Sequence, residues 1–150
     1  MNPNYAFNLR LTGILIENDR LLLVQQRVSE SRSWSLPGGR LERGETIAQG
    51  LRRELQEETG LDTEILRLLY VCDVAASDHT LLHMTFLLRR IGGELCLPTN
   101  EHDANPIHDV RFVPINDLPQ YGFSAQFIER IRAGFPAAGS YPGDKTRIGL

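Results

Sequence analysis

Three carboxylates, Glu54, Glu57 and Glu58, stand at i, i+3 and i+4 in a run with helical periodicity. On a wheel of about 100° per residue, Ile47, Ala48, Leu51 and Leu55 define an apolar stripe; Glu54 and Glu58 fall at its edge and Glu57 beside them. Like charges at these spacings repel by some tenths of a kcal/mol even in water. Partial burial raises that cost sharply unless a cation compensates. A Glu-rich helix ordinarily shows a solvated acidic face, with Arg52 and Arg53 as partners. Here Arg52 and Gln56, not the acids, lie opposite the stripe, so a divalent cation is the better account. With no Cys or His on that side, the donors suit hard ions, Mg²⁺ or Mn²⁺, rather than Zn²⁺. Mg²⁺ keeps several waters and commonly bridges carboxylates to substrate phosphates, which points to phosphate chemistry.

The elements that must hold these acids are legible around them. Thr46 followed by Gln49 forms a capping box, and Gly60 sits where a left-handed terminator belongs, so a helix is expected over residues 47–59. Before it, Gly38-Gly39 allows the main chain to approach a ligand closely. Gly50 reads equally as room for a phosphate or as a packing glycine. Residues 8–17 and 20–27 read as a hairpin turned at Asn18-Asp19, its first strand buried on both faces. Residues 64–74 and 80–90 read as longer strands, Gly92-Gly93 as a turn, 94–97 as a short strand, 98–108 as a surface loop and 110–113 as a strand. A second helix is expected over 124–133, with Phe127, Ile128 and Ile131 at helical spacing. The expected organisation is one domain over 1–135 and a loosely held tail over 136–150.

Composition bounds the partners. With 150 residues, 41% hydrophobic and 23% charged, and a net charge of -3, the chain suits one core of ordinary size. Mild acidity disfavours a nucleic-acid coat, which needs a broad basic face. No stretch approaches the roughly 18 apolar residues of a membrane span. No signal peptide is visible, and Cys72 and Cys96 lie among apolar residues like buried thiols, so a cytoplasmic location is expected. Apolar strands that one small domain leaves uncovered suggest a homodimer.

The pattern Gly39, Glu45, Arg53-Glu54-Leu55, Glu57-Glu58 and Gly60-Leu61 resembles the signature of the Nudix (MutT-like) hydrolases at every defined position. The resemblance implies the α/β fold class: a Nudix-type α/β/α sandwich with a mixed β-sheet and a loop-helix-loop catalytic motif. It implies Mg²⁺-assisted hydrolysis of a nucleoside diphosphate linked to another moiety. It makes Glu57 and Glu58 the main metal ligands, Glu54 a third ligand or the base, and the Gly39 carbonyl part of the metal shell. Arg53 would orient Glu54, and Glu45 would support that network or reach a second ion.

Outside the signature, Glu101, Asp103 and Asp109 are candidates for a loop base, against an ordinary role as polar loop residues. Arg27 and Arg40 are candidates for phosphate contacts, against surface arginines. Trp34 and Tyr70 read as core, and the four histidines show no metal-ligand spacing. Resemblance also bears on substrate: no proline lies between Leu61 and Leu97, where ADP-ribose hydrolases of the family usually carry one. Ser77-Asp78 lack the tyrosine of dinucleoside polyphosphate enzymes, and no coenzyme-A motif precedes the signature. By elimination a nucleoside or deoxynucleoside triphosphate pyrophosphohydrolase leads, an ADP-ribose or nucleotide-sugar pyrophosphatase comes second, and a non-catalytic nucleotide-sensing module or an isoprenoid or inositol diphosphate hydrolase follows.

Overall fold

The computed structural model describes residues 6–75, 78–99 and 105–150. Its nine strands are β1 (Ala6–Ile14), β2 (Ile16–Glu17), β3 (Arg20–Gln25), β4 (Trp34–Ser35), β5 (Gly38–Arg40), β6 (Leu61–Ala75), β7 (His79–Gly93), β8 (Val110–Pro114) and β9 (Ser140–Gly143). The helices are α1 (Ile47–Thr59) and α2 (Ala125–Arg132), with short 3₁₀ helices at Ile115–Tyr121 and Lys145–Ile148. One sheet runs β5-β1-β7-β6-β9 and is mixed, because β1 pairs with β7 and β6 with β9 in parallel while the other pairs are antiparallel. The second sheet is built on β3, which pairs antiparallel with β2, β4 and β8.

The strands divide their apolar residues between two cores. Leu11, Leu15, Phe86 and Leu88 join Leu51 and Leu55 of α1. Ile14, Leu69 and Tyr70 join Phe127 and Ile131 of α2, with Trp34. A mixed sheet carrying a helix against each core is the expected α/β/α arrangement, and Trp34 and Tyr70 are buried as read. No helix among the described residues is long and apolar enough to cross a membrane.

Several local expectations are corrected. The first strand does not stay in one hairpin. Asn18 and Asp19 both adopt positive φ, as a tight primed turn needs, but the ladder across it is short: Ile16 and Glu17 pair with Leu21 and Arg20, and Leu22 donates its N–H to the Leu15 carbonyl at 3.0 Å. The chain breaks at Leu15, and the upstream part, β1, crosses into the other sheet between β5 and β7. Gly92-Gly93 completes β7 opposite Asp62 and Leu61 before turning, and 94–97 forms no strand; instead Cys96 donates its N–H to the Thr59 carbonyl at 2.9 Å. Cys96 is exposed, whereas Cys72 is buried.

The tail expected to be loose is packed. β9 lies along β6, Ile148 is buried in the α2 core, and Asp144 caps the last 3₁₀ helix by accepting from Thr146 N–H at 3.0 Å. Ser124 Oγ donates to the Gly149 carbonyl at 2.9 Å, and Gln126 and Arg130 both donate to the Arg147 carbonyl. Polar composition misled here, because the ordering contacts come from α2 and β6, distant in sequence.

Candidate active site

Helix α1 begins and ends as its sequence requires. The Thr46 hydroxyl accepts from Gln49 N–H, the Gln49 side chain accepts from Thr46 N–H, and Gly60 closes the helix at φ 78°. Thr59, fully buried, donates its hydroxyl to the Leu55 carbonyl at 2.6 Å and accepts from Leu61 N–H, so the last turn is locked to β6. The carboxylates therefore project from a fixed end of the helix.

Strand β5 lies over that end. It is antiparallel to β1, with Gly39 opposite Leu11 and Gly38 opposite Thr12. Gly38 N–H donates to Glu58 Oε2 at 3.2 Å. A Cβ on Gly39 would stand 2.4 to 2.5 Å from the Glu54 carboxylate atoms, so only glycine lets this carboxylate sit where it does. A Cβ on Gly38 would meet the Leu11 carbonyl oxygen at 2.0 Å. Gly50 is a packing glycine, closed over by Leu41 and Leu11.

Arg53 gathers the acids. Its Nε and Nη2 donate to both oxygens of Glu45 at 2.7 and 2.9 Å, a bidentate pair. Its Nη1 donates to Glu54 at 2.9 Å and Glu57 at 3.2 Å, and Nη2 also reaches the Arg40 carbonyl at 3.3 Å. The Arg53 pairing holds the Glu45 carboxyl below its usual range. Burial does the opposite elsewhere: it raises Glu54 despite Arg53, and pushes Glu58 up to about 8. These are the two acids that the helical wheel places at the edge of the apolar stripe. Glu57 differs, with 61% of its side chain exposed.

Glu54 and Glu58 open onto a cavity of about 430 Å³ whose lining also includes Arg10, Thr12, Arg27, Arg32, Gly38, Gly39, His83 and Lys145. Arg27 lines the same cavity. Arg40 is exposed and meets the network only through its backbone carbonyl. Asp109 does not line the cavity; it accepts from Val110 N–H at 2.8 Å and from Arg111 Nε at 2.9 Å. Glu101 and Asp103 lie outside the described residues.

Among the described residues no three His, Cys, Asp or Glu side chains converge as a ready-made metal cage. Glu57 is turned toward Arg53 by an exposed ion pair, an interaction of small energy that a divalent ion outcompetes readily. Glu54 and Glu58 fit such an ion: two oxygen-donor groups side by side whose burial pushes them toward the protonated form, a cost that a bound cation removes.

Sequence reasoning missed Arg10, Thr12, Arg32, His83 and Lys145. A signal existed for three of them. Arg10 and Thr12 alternate with the buried leucines of β1, and His83 and Thr85 do the same on β7; the register puts Arg10 beside His83 and Thr12 beside Thr85. Polar residues at period two in otherwise apolar strands mark a wall that faces something other than core.

Comparison with known proteins fits this geometry. Human 8-oxo-dGDP phosphatase NUDT18 is 40% identical over 110 residues, covering 73% of this chain and 32% of that protein. An ADP-ribose pyrophosphatase of Methanocaldococcus jannaschii is 31% identical over 119 residues, covering 77% of this chain and 67% of its own length. The chain thus spans about a third of the human relative. Among solved structures, a UDP-X diphosphatase superposes with a TM-score of 0.65 at 20% identity, covering 91% of this chain and 67% of that one. An ADP-ribose pyrophosphatase from Streptococcus suis superposes at 0.62, also with 20% identity, covering 91% and 98%. At that identity the superpositions speak to the fold alone. A family model for the NUDIX domain matches residues 8–131, which runs from within β1 to within α2 and includes every residue of the Arg53-centred network. By its fold, its signature and that match, the chain belongs to the Nudix hydrolase family.

Proposed function

We propose that the chain is a Mg²⁺-dependent pyrophosphohydrolase of nucleoside diphosphate-linked substrates, with nucleoside and deoxynucleoside triphosphates as the leading class. The observation that carries this is the pair Glu54 and Glu58, desolvated beneath Gly38-Gly39 at a cavity whose other charged walls are cationic. Glu57, Glu58 and the Gly39 carbonyl would hold Mg²⁺, or Mn²⁺ in its place, with Glu54 as a third ligand where it is not the base. That ion supplies charge neutralisation at the substrate phosphates.

The remaining work falls to the chain itself. Water attacks a phosphorus, the bridging P–O bond breaks, and the proton lost by the water goes to Glu54. Burial raises the proton affinity of Glu54, as a general base working near neutral pH requires. Arg53 fixes its Oε1, and Glu45, with both oxygens on Arg53, holds Arg53 in turn. Arg27 meets phosphate oxygens from the cavity wall. Asp109, tied to Arg111, has no part in this scheme.

A second reading, ADP-ribose or nucleotide-sugar pyrophosphatase, is favoured by the name of the Methanocaldococcus jannaschii relative. We further infer a reducing, cytoplasmic setting from the two free cysteines. A homodimer through the exposed Phe7, Leu66 and Ile91 belongs to the same reading, and light scattering reads it directly.

The test is release of phosphate and pyrophosphate with Mg²⁺ across nucleoside triphosphates, an oxidised-guanine deoxynucleotide, ADP-ribose, nucleotide sugars, and isoprenoid and inositol diphosphates. Glu57→Gln is expected to lower turnover by about 100-fold or more with the fold intact, since it removes transition-state charge stabilisation. Unchanged turnover in that variant overturns the assignment. Binding without turnover in the parent chain favours a nucleotide sensor instead.

A further inference from the structure

Beyond Arg27, the cavity wall that α1 does not build carries four polar side chains from segments distant in sequence. Arg10 comes from β1, His83 from β7, Arg32 from the stretch before β4, and Lys145 from the C-terminal 3₁₀ helix. The last of these lies beyond residues 8–131, outside the span that the family model matches. Among the described residues, none of these three cations closes an ion pair, although other arginines, such as Arg52, Arg89, Arg111 and Arg132, each form one; Arg10 acts on Glu54 and Glu58, and Lys145 on Asp144, only at longer range.

Arg32 is instead held by packing. Its guanidinium lies 4.9 Å from the centre of the Phe123 ring, and its Nη1 is buried with no hydrogen-bond partner among the described residues. His83 is 3% exposed; its Nε2 is hydrogen-bonded to the Thr12 hydroxyl, and its Nδ1 is likewise buried and unpartnered. Burial and the nearby Lys145 and Arg10 charges lower His83 to about 3, so it is neutral. Lys145 falls to about 8 through burial and the adjacent Arg10 and Arg32. Arg32 and Lys145 gathered beside Arg10 without an ion pair, with unsatisfied polar atoms next to them, are costly unless an anion completes the site.

Building on the hydrolase reading, we propose that Arg10, Arg32, Lys145 and His83 form an anion subsite for a phosphoryl group of the substrate beyond the bond that is cut. The subsite selects substrates whose departing part is itself charged, such as the pyrophosphate of a triphosphate, over those whose departing part ends in a neutral sugar. A neutral hydroxyl there leaves the cations uncompensated, and rejection by unmet polar groups is the stronger kind of discrimination.

The experiment has a binding arm and a kinetic arm, each run on the parent chain and on Lys145→Met, Arg32→Gln and Arg52→Gln. Lys145→Met keeps the aliphatic stem, and Arg52, paired with Asp62 and absent from the cavity lining, is the charge control. Thermal melting confirms that each variant is folded. In the binding arm, calorimetry with inorganic pyrophosphate is expected to show affinity about 10-fold or more weaker for Lys145→Met and Arg32→Gln, and unchanged for Arg52→Gln. In the kinetic arm, the ratio of kcat/KM for a nucleoside triphosphate to that for a nucleotide sugar falls by a similar factor in the first two variants only.

Pyrophosphate affinity unchanged in both cavity variants overturns the subsite even if hydrolysis proceeds. Affinity that depends on both residues, with no hydrolysis of any substrate, supports the subsite and overturns the hydrolase reading instead.

Discussion

Gly39→Ala separates stability from chemistry in a way the geometry makes quantitative. The added Cβ would stand 2.4 Å from Glu54 Cδ and 2.5 Å from each carboxylate oxygen, about 1 Å inside ordinary contact. All three obstructing atoms belong to the end of a flexible side chain, so Glu54 yields and the backbone does not. Yielding breaks the 2.9 Å bond to Arg53, a charge-assisted interaction of about 1.5–3 kcal/mol. Much of that is regained as the carboxylate leaves a desolvated place. Arg53 keeps both bonds to Glu45. The net loss of stability is therefore expected below about 1.5 kcal/mol, a Tm change of a few degrees in a chain of this size. Displacing a reacting group by about 1 Å costs on the order of 100-fold in rate, so kcat should fall by that factor while the melt hardly moves. Pyrophosphate release and thermal melting by circular dichroism read the two quantities. Wild-type turnover in a folded Gly39→Ala variant would refute the reasoning, because the position of Glu54 beneath β5 would then be irrelevant to the chemistry. Gly38→Ala is the contrast: its Cβ meets the Leu11 carbonyl at 2.0 Å and Thr12 Cα at 2.8 Å, both backbone atoms of β1, so the cost appears as lost stability of about 3 kcal/mol or more.

Three further outcomes follow from the same network. Arg53→Lys keeps a charge but not the fork that spans Glu45 and Glu54, and kcat should drop 10- to 100-fold with little change in KM; an equal rise in KM alone would contradict a positioning role. Glu58, raised from an ordinary 4.5 to about 8, keeps its proton in the folded chain while the unfolded chain has lost it. In metal-free buffer, stability should therefore fall as pH rises from about 5 to 8, at up to roughly 1.4 kcal/mol per pH unit, and Glu58→Gln should flatten the slope; denaturation curves that are flat in the parent chain would exclude it. Mg²⁺ replaces that proton, so its stabilisation of the fold should be greater at pH 8 than at pH 6, measured as a shift in Tm on adding the ion or removing it with chelator.

What was legible in the sequence was local. Thr46, Gln49 and Gly60 mark both ends of α1 within a few residues of where their hydrogen bonds form, and 3.6-residue periodicity alone predicts the burial of Glu54 and Glu58. What escaped was set by partners far along the chain. Nothing near Leu15 announces that β1 leaves the hairpin to pair with β7. Ile148 and Lys145 sit in a segment rich in Gly and polar residues, ordered by Gln126, Arg130 and β6 rather than by anything adjacent. His83 looked like an ordinary strand histidine because its neighbours in sequence are apolar; its neighbours in space are Thr12 and the cavity. Signatures written within one turn of helix can be read directly, whereas a wall assembled across a sheet has to be folded to be seen.

The parallel pairing of β1 with β7 sets the order of events during folding. Ala6 stands beside His79 and Ile14 beside Leu87, so this ladder closes a loop that contains the whole of α1 and of β6. Helix α1 and the β6–β7 hairpin are local and can form early, but closing so long a loop is entropically slow. Until it closes, β1 and the β5 strand paired with it have no sheet to join, and Glu54 and Glu58 remain solvated acids on a helix end. Hydrogen exchange during refolding should accordingly protect the amides of α1 and of the β6–β7 hairpin before those of β1 and β5, with hydrolytic competence arriving together with the later set.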